Sequence, residues 1–130
     1  MASTLQKLVV NMIMGSMMAA FSEGVTLAEA AGLSGTDLLS VLELGAIANP
    51  MFKMKGPGML KGGPYPPAFP LKHQQKDLRL ALALGDQLDA PLPLAAAANE
   101  AYKRARAEGH GDEDFASVHS SINTRLARKL

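Results

Sequence analysis

The 130-residue sequence has no cysteine, which excludes a disulfide framework, a thiolate metal site and a cysteine nucleophile. A reducing compartment suits such a chain. Tryptophan is absent too, and aromatic residues make up 5% of the total, too few for the stacking platforms that bind single-stranded nucleic acid. Thirteen basic residues against twelve acidic ones leave a formal charge of +1, so neither nucleic acid nor an anionic membrane is expected as a partner. No GxSxG motif occurs, and His73, His110 and His119 lie too far apart for a ligand spacing such as HExxH, so no metal site is expected. No run alternates convincingly as a strand, and no GxGxxG follows one. A dinucleotide would have to be bound largely outside these residues.

What remains is an ordinary globular composition, 48% hydrophobic and 19% charged, with room for one domain. An all-α architecture is expected: one long helix followed by four to five shorter ones. No proline interrupts Thr4 to Ala31, and Leu5, Leu8, Val9, Met12, Ile13 and Ala20 recur at helical spacing. Val10, Met14, Met17, Met18 and Phe21 make other faces apolar as well, so the helix is expected to be covered nearly all round, with Gly15, Ser16, Ala19 and Ala20 admitting a second backbone. The apolar run from Leu8 to Phe21 behind Lys7 has features of a signal peptide, but Asn11, Gly15 and Ser16 interrupt it. It is short for a bilayer span and reads better as a buried helix.

Gly32 is placed to stop that helix, and Ser34 to cap a short one reaching about Leu44. Asn49-Pro50 opens another, to about Leu60. The Gly62-Gly63-Pro64-Tyr65-Pro66-Pro67 segment breaks helix and connects within the domain. After Pro70 a second long helix is predicted to about Leu88, with Leu71, Leu78 and Leu82 on its apolar face and Lys72, Gln75, Lys76 and Arg79 on its polar one. Helices from Leu94 to Ala107 and from about Glu113 to Ile122 complete the set, the last with Asp112 and Asp114 at its start. Residues 123–130 are expected to fray.

Two polar placements stand out. Lys7 and Asn11 lie one turn apart on an apolar helix, where burial costs free energy unless partners exist. The plain alternative is an exposed Lys7 and an Asn11 that satisfies a backbone carbonyl. From Phe69 to Arg79, Lys72, His73, Lys76, Asp77 and Arg79 crowd one helix start. A solvated face with a His73–Asp77 pair is the plain alternative there.

Four segments then resemble the C-terminal domain of the β-hydroxyacid dehydrogenases: Lys7-Leu8-Val9-Val10-Asn11, MIMGSMMAAFSE from Met12, PAFPLKHQQKDLRLALAL from Pro67 and AAAANEAYK from Ala95. The resemblance covers about residues 7–118 and is nearest in kind to the plant-type glyoxylate and succinic semialdehyde reductases. It implies a 6-phosphogluconate dehydrogenase-like helical domain that completes the active site of a two-domain enzyme. NADP(H), or alternatively NAD(H), would be held mainly by a Rossmann domain outside this sequence.

The resemblance further implies roles. Lys7 falls on the catalytic lysine and Asn11 on the substrate-side asparagine. Lys76 and Phe69 fall on cofactor-side positions, and Asp77 on a substrate-side one. Nuclear proteins that resemble this domain without catalysing carry another residue at Lys7's position, so Lys7 implies an intact parent site. A lysine near its ordinary pKa of about 10.4 donates protons sluggishly at neutral pH, and partial burial would improve the match. The implied partners are a second copy through the first helix and a small aldehyde or hydroxyacid, and the implied compartment is cytoplasmic or organellar (plastid or mitochondrion). The sequence departs from the family in opening with Met1-Ala2-Ser3-Thr4-Leu5-Gln6, without the Gly/Ala-rich helix start. This leaves a rival expectation: a non-enzymatic helical oligomerisation module, with the chain inactive alone in either case.

Overall fold

The computed structural model describes residues 2–125. It is built from α1 (Ala2–Ala30), α2 (Gly35–Glu43), α3 (Pro50–Lys61), α4 (Leu71–Gln87), α5 (Pro93–Ala105) and α6 (Val118–Ile122). A π turn at Arg106–His110 and a 3₁₀ turn at Phe115–Ser117 link the last two helices. No strand occurs among the described residues.

The local signals stop the helices where they were expected to. Gly32 takes φ 83°, letting Leu33 N–H donate to Ala28 and Gly32 N–H to Glu29, a Schellman closure of α1. Ser34 accepts from the Asp37 amide, and Asn49 accepts from the Phe52 amide, each satisfying an amide that the first turn of its helix leaves without a partner. α5 starts at Pro93, one residue before the expected Leu94, since a first-turn proline loses no helical hydrogen bond. The last helix starts later than predicted. Asp114 caps the 3₁₀ turn through the Ala116 amide, while Asp112 lies outside it and pairs with Lys72 at 2.7 Å. Of the segment expected to fray, Asn123 is instead 1% exposed and hydrogen-bonded to Glu29. Residues 126–130 lie outside the described residues.

α1 packs on α4, α5 and α6, with α2 and α3 across its other side. The core joins Met18, Phe21 and Val25 of α1 to Phe52 and Met59 of α3, Leu71 and Leu78 of α4, and Tyr102 of α5. Phe21 and Phe52 stack with ring centroids 4.2 Å apart. The face α1 buries is therefore Gly15, Met18, Ser22 and Val25. Leu5, Val9, Val10, Ile13 and Met17 point outward and are each more than a third exposed.

One expectation is corrected here: α1 is not covered nearly all round by the described residues. Of its small residues, Gly15 and Ala19 face the packed interior. Both are buried in the domain, and a Cβ on Gly15 would fall 2.5 Å from Gln74 Nε2. By length and composition α1 does suffice to cross a membrane, which the short apolar run alone understated. Its Met18, Ser22 and Val25 are instead fully buried against the other helices, as in the central helix of a packed domain.

Candidate active site

α1 and α4 bring the two polar placements together. Asn11 Nδ2 donates to Asp77 Oδ2 at 2.9 Å across 66 residues of sequence. Asn11 thus does not satisfy a backbone carbonyl with its side chain, and Asp77 does not pair with His73. The His73 ring instead stacks on Phe69, with centroids 6.4 Å apart. Spacing within one helix suggested the local pair, but helix packing supplied a better donor.

An open groove of about 420 Å³ runs between these helices, lined by Thr4, Leu5, Lys7, Leu8, Asn11, Phe69, His73, Lys76, Asp77 and Leu80. The five residues to which the resemblance gave roles, Lys7, Asn11, Phe69, Lys76 and Asp77, share it with His73, while Lys72 and Arg79 of the same cluster do not line it. A larger hollow of about 580 Å³ beside Pro91 gathers only Asp86 and Asp89 as charged groups. Lys7 and Lys76 are exposed, and neither forms an ion pair among the described residues. Asp77 is half-buried and engaged by Asn11. The groove thus offers two lysine ammoniums, an aromatic face and a fixed amide–carboxylate pair, a combination suited to a small anion. Lys7's partial burial, the condition that would tune it as a donor, is not met within this chain.

Phe69 is held by residues that the sequence did not single out. Asp114, 2% exposed, accepts from the Ala68 and Phe69 amides at 3.0 and 3.1 Å. It also accepts from the Ala116 amide, and from Lys55 Nζ at 3.0 Å. Phe69 C=O accepts from Phe115 N–H, and its ring meets Phe115 edge-on at 6.0 Å. One buried carboxylate with four donors thus pins the proline-rich connector beside the groove. Asp114 read only as a helix start, because its partners lie up to 59 residues away in sequence.

The π turn and the α4–α5 interface carry a further polar chain that the sequence misplaced. Gln75, expected on a solvated face, is 6% exposed. It donates to Asn99 Oδ1 at 3.0 Å and accepts from Arg106 at 2.7 Å.

Residues 2–122 match a family model described as NAD-binding of NADP-dependent 3-hydroxyisobutyrate dehydrogenase. The chain is 65% identical over 116 residues to glyoxylate/succinic semialdehyde reductase 1 of Arabidopsis thaliana, covering 89% of this chain and 40% of that protein. It is 48% identical over 112 residues to the cytokine-like nuclear factor N-PAC of Homo sapiens, covering 86% of this chain and 20% of that one. Among solved structures, 3-hydroxyisobutyrate dehydrogenase from Salmonella typhimurium superposes with a TM-score of 0.82 at 28% identity, over 89% of this chain and 40% of its own. The chain thus spans well under half the length of these relatives. It belongs to the 3-hydroxyisobutyrate dehydrogenase-like family of β-hydroxyacid dehydrogenases, and its fold is that of the family's helical C-terminal domain.

Proposed function

We propose that the chain is the helical catalytic and assembly part of an NADPH-dependent reductase that converts short aldehydes such as glyoxylate and succinic semialdehyde to hydroxyacids. The observation that carries this reading is the single groove shared by Lys7, Asn11, Phe69, Lys76 and Asp77. The residues fit one end of a dinucleotide and a small carboxylate: two lysines free of ion pairs among the described residues, and an aromatic face. They do not cradle a pyrophosphate, which calls for a glycine-rich strand-to-helix turn.

When bound, the nicotinamide supplies hydride to the aldehyde carbon. Negative charge then grows on the carbonyl oxygen. The Lys7 ammonium opposes that charge and gives the oxygen its proton. Asn11, fixed by Asp77, orients the substrate one turn along α1, and Lys76 meets cofactor charge as a point cation. A chloroplastic relative in Arabidopsis thaliana, 53% identical over 123 residues, supports an organellar site of action.

The test joins this chain to a dinucleotide-binding domain of the same family and follows NADPH consumption with glyoxylate and succinic semialdehyde. The joined protein should turn over, and the 130-residue chain alone should not. Lys7→Ala should lower kcat by about two to four orders of magnitude, the usual scale for losing a positioned acid. Lys76→Ala should mainly raise the KM for NADPH. Near-normal turnover by the Lys7→Ala protein would remove Lys7 as the proton donor and return weight to a purely assembling module.

A further inference from the structure

We infer that Gln74 is a positioning residue: it sets the axial register of α1 on α4 and thereby holds Asn11 against Asp77. Its side chain is fully buried, and its Nε2 donates to the backbone carbonyl of Asn11 at 2.9 Å. Three residues further along α4, Asp77 takes the side-chain amide of that same Asn11. One residue of α1 is therefore gripped at two points by one helix, through its main chain and through its side chain. Apolar contacts between helices are non-directional and tolerate sliding, whereas two hydrogen bonds to one residue do not.

Gly15 is cut to admit this contact. A Cβ there would lie 2.5 Å from Gln74 Nε2 and 2.8 Å from Cδ, and Gly15's carbonyl takes the buried Tyr102 hydroxyl at 3.0 Å. Gln74 is also a costly core filler. Its Oε1 makes no hydrogen bond among the described residues, so part of a buried amide's desolvation goes uncompensated, a penalty that Leu or Met would avoid. Turning the amide over would set its oxygen against the Asn11 carbonyl, so only one orientation serves. What Gln74 contributes over an apolar residue is the bond to Asn11.

The importance of this register rests on reading the groove as a reductase site, but the register can be measured without turnover. In 15N–1H correlation spectra of the 130-residue chain, the Asn11 side-chain amide signal reports its bond to Asp77, and Asp77→Ala, which leaves no side-chain acceptor, defines the position of that signal once the bond is lost. Gln74→Met, and independently Gly15→Ala, which leaves Gln74 in the chain but displaces its amide, should each move the Asn11 signal most of the way toward that position. Met59→Ala, a fully buried position on α3 rather than on the helix that carries Gln74 and Asp77, lowers Tm and should leave it unmoved. An Asn11 signal unchanged in the folded Gln74→Met or Gly15→Ala chain, or moved as far by Met59→Ala, would overturn the inference. If the signals move as stated while Lys7→Ala retains turnover, the register device stands and the catalytic reading falls.

Discussion

His119 is fully buried, with Nδ1 2.6 Å from Ser22 Oγ. Burial in this setting holds its pKa down at about 4, against an ordinary value of 6.5, because the charged form loses its hydration. The unfolded chain therefore binds a proton that the folded chain refuses. This contribution to stability is fully present above about pH 6.5 and is lost as pH falls toward 4, by roughly 3 kcal/mol in all. Urea unfolding of the wild type from pH 7.5 to 5 should register a progressive loss, and His119→Gln should flatten that slope whatever its effect at pH 7.5. An equal slope in both chains would place the acid sensitivity elsewhere. Asp114, also buried, instead accepts from Lys55 Nζ and from three backbone amides.

At the scale of elements, the glycines inside the helices are of contrasting kinds. Gly85, in the last turn of α4, lies against the incoming chain: a Cβ there would meet the Ala90 carbonyl at 2.9 Å and Leu92 Cδ1 at 2.7 Å. The carbonyl is backbone and cannot step aside. Gly24, two turns before the end of α1, has nothing among the described residues within 4 Å of its Cβ position. Gly85→Ala should therefore cost about 1–3 kcal/mol through overpacking. Gly24→Ala should gain up to about 1 kcal/mol through helix propensity and a less flexible unfolded chain. Thermal denaturation of the two variants should shift Tm in opposite directions, and a shift of the same sign would contradict this account of the α4–α5 turn.

For the whole molecule, the outer face of α1 dominates. Leu5, Val9, Val10, Ile13 and Met17 form a continuous stripe, and Ile13 and Val10 are 49% and 59% exposed. Beyond Met17 the surface continues into an apolar hollow of about 280 Å³ lined by Ala20, Phe21, Leu38, Leu42 and Ile47. Patches of this kind on soluble proteins are usually interfaces. The chain is accordingly expected to sediment as a dimer or larger assembly at roughly tens of micromolar, where an interface of standard size holds. Val10→Glu with Ile13→Glu should yield a folded 13.7 kDa monomer. A folded wild-type monomer at that concentration would refute self-association through α1. Replacing Gly15 and Ala19 would test nothing of the kind, since both are packed inside the domain.

The sequence by itself determined most of the helices and their ends, because caps and αL glycines act through neighbours a few residues away: Ser34, Asn49, Gly32 and Gly62 each do so. It also marked Lys7, Asn11, Phe69, Lys76 and Asp77, whose residue types in two segments carry the family resemblance. It could not say which face of α1 is buried, because several faces are apolar and periodicity favours none of them. Of the stripe that fitted helical spacing, Leu5, Val9, Ile13 and Ala20 are left outside, while Leu8 and Met12 are part-buried. Only the tertiary structure decided that Gly15 accepts Gln74, that Asp77 takes Asn11 rather than His73, and that Gln75 and Asp114 are interior. Each of these is a polar or steric match between residues 24 or more apart in sequence, and such matches exist only once the helices have packed.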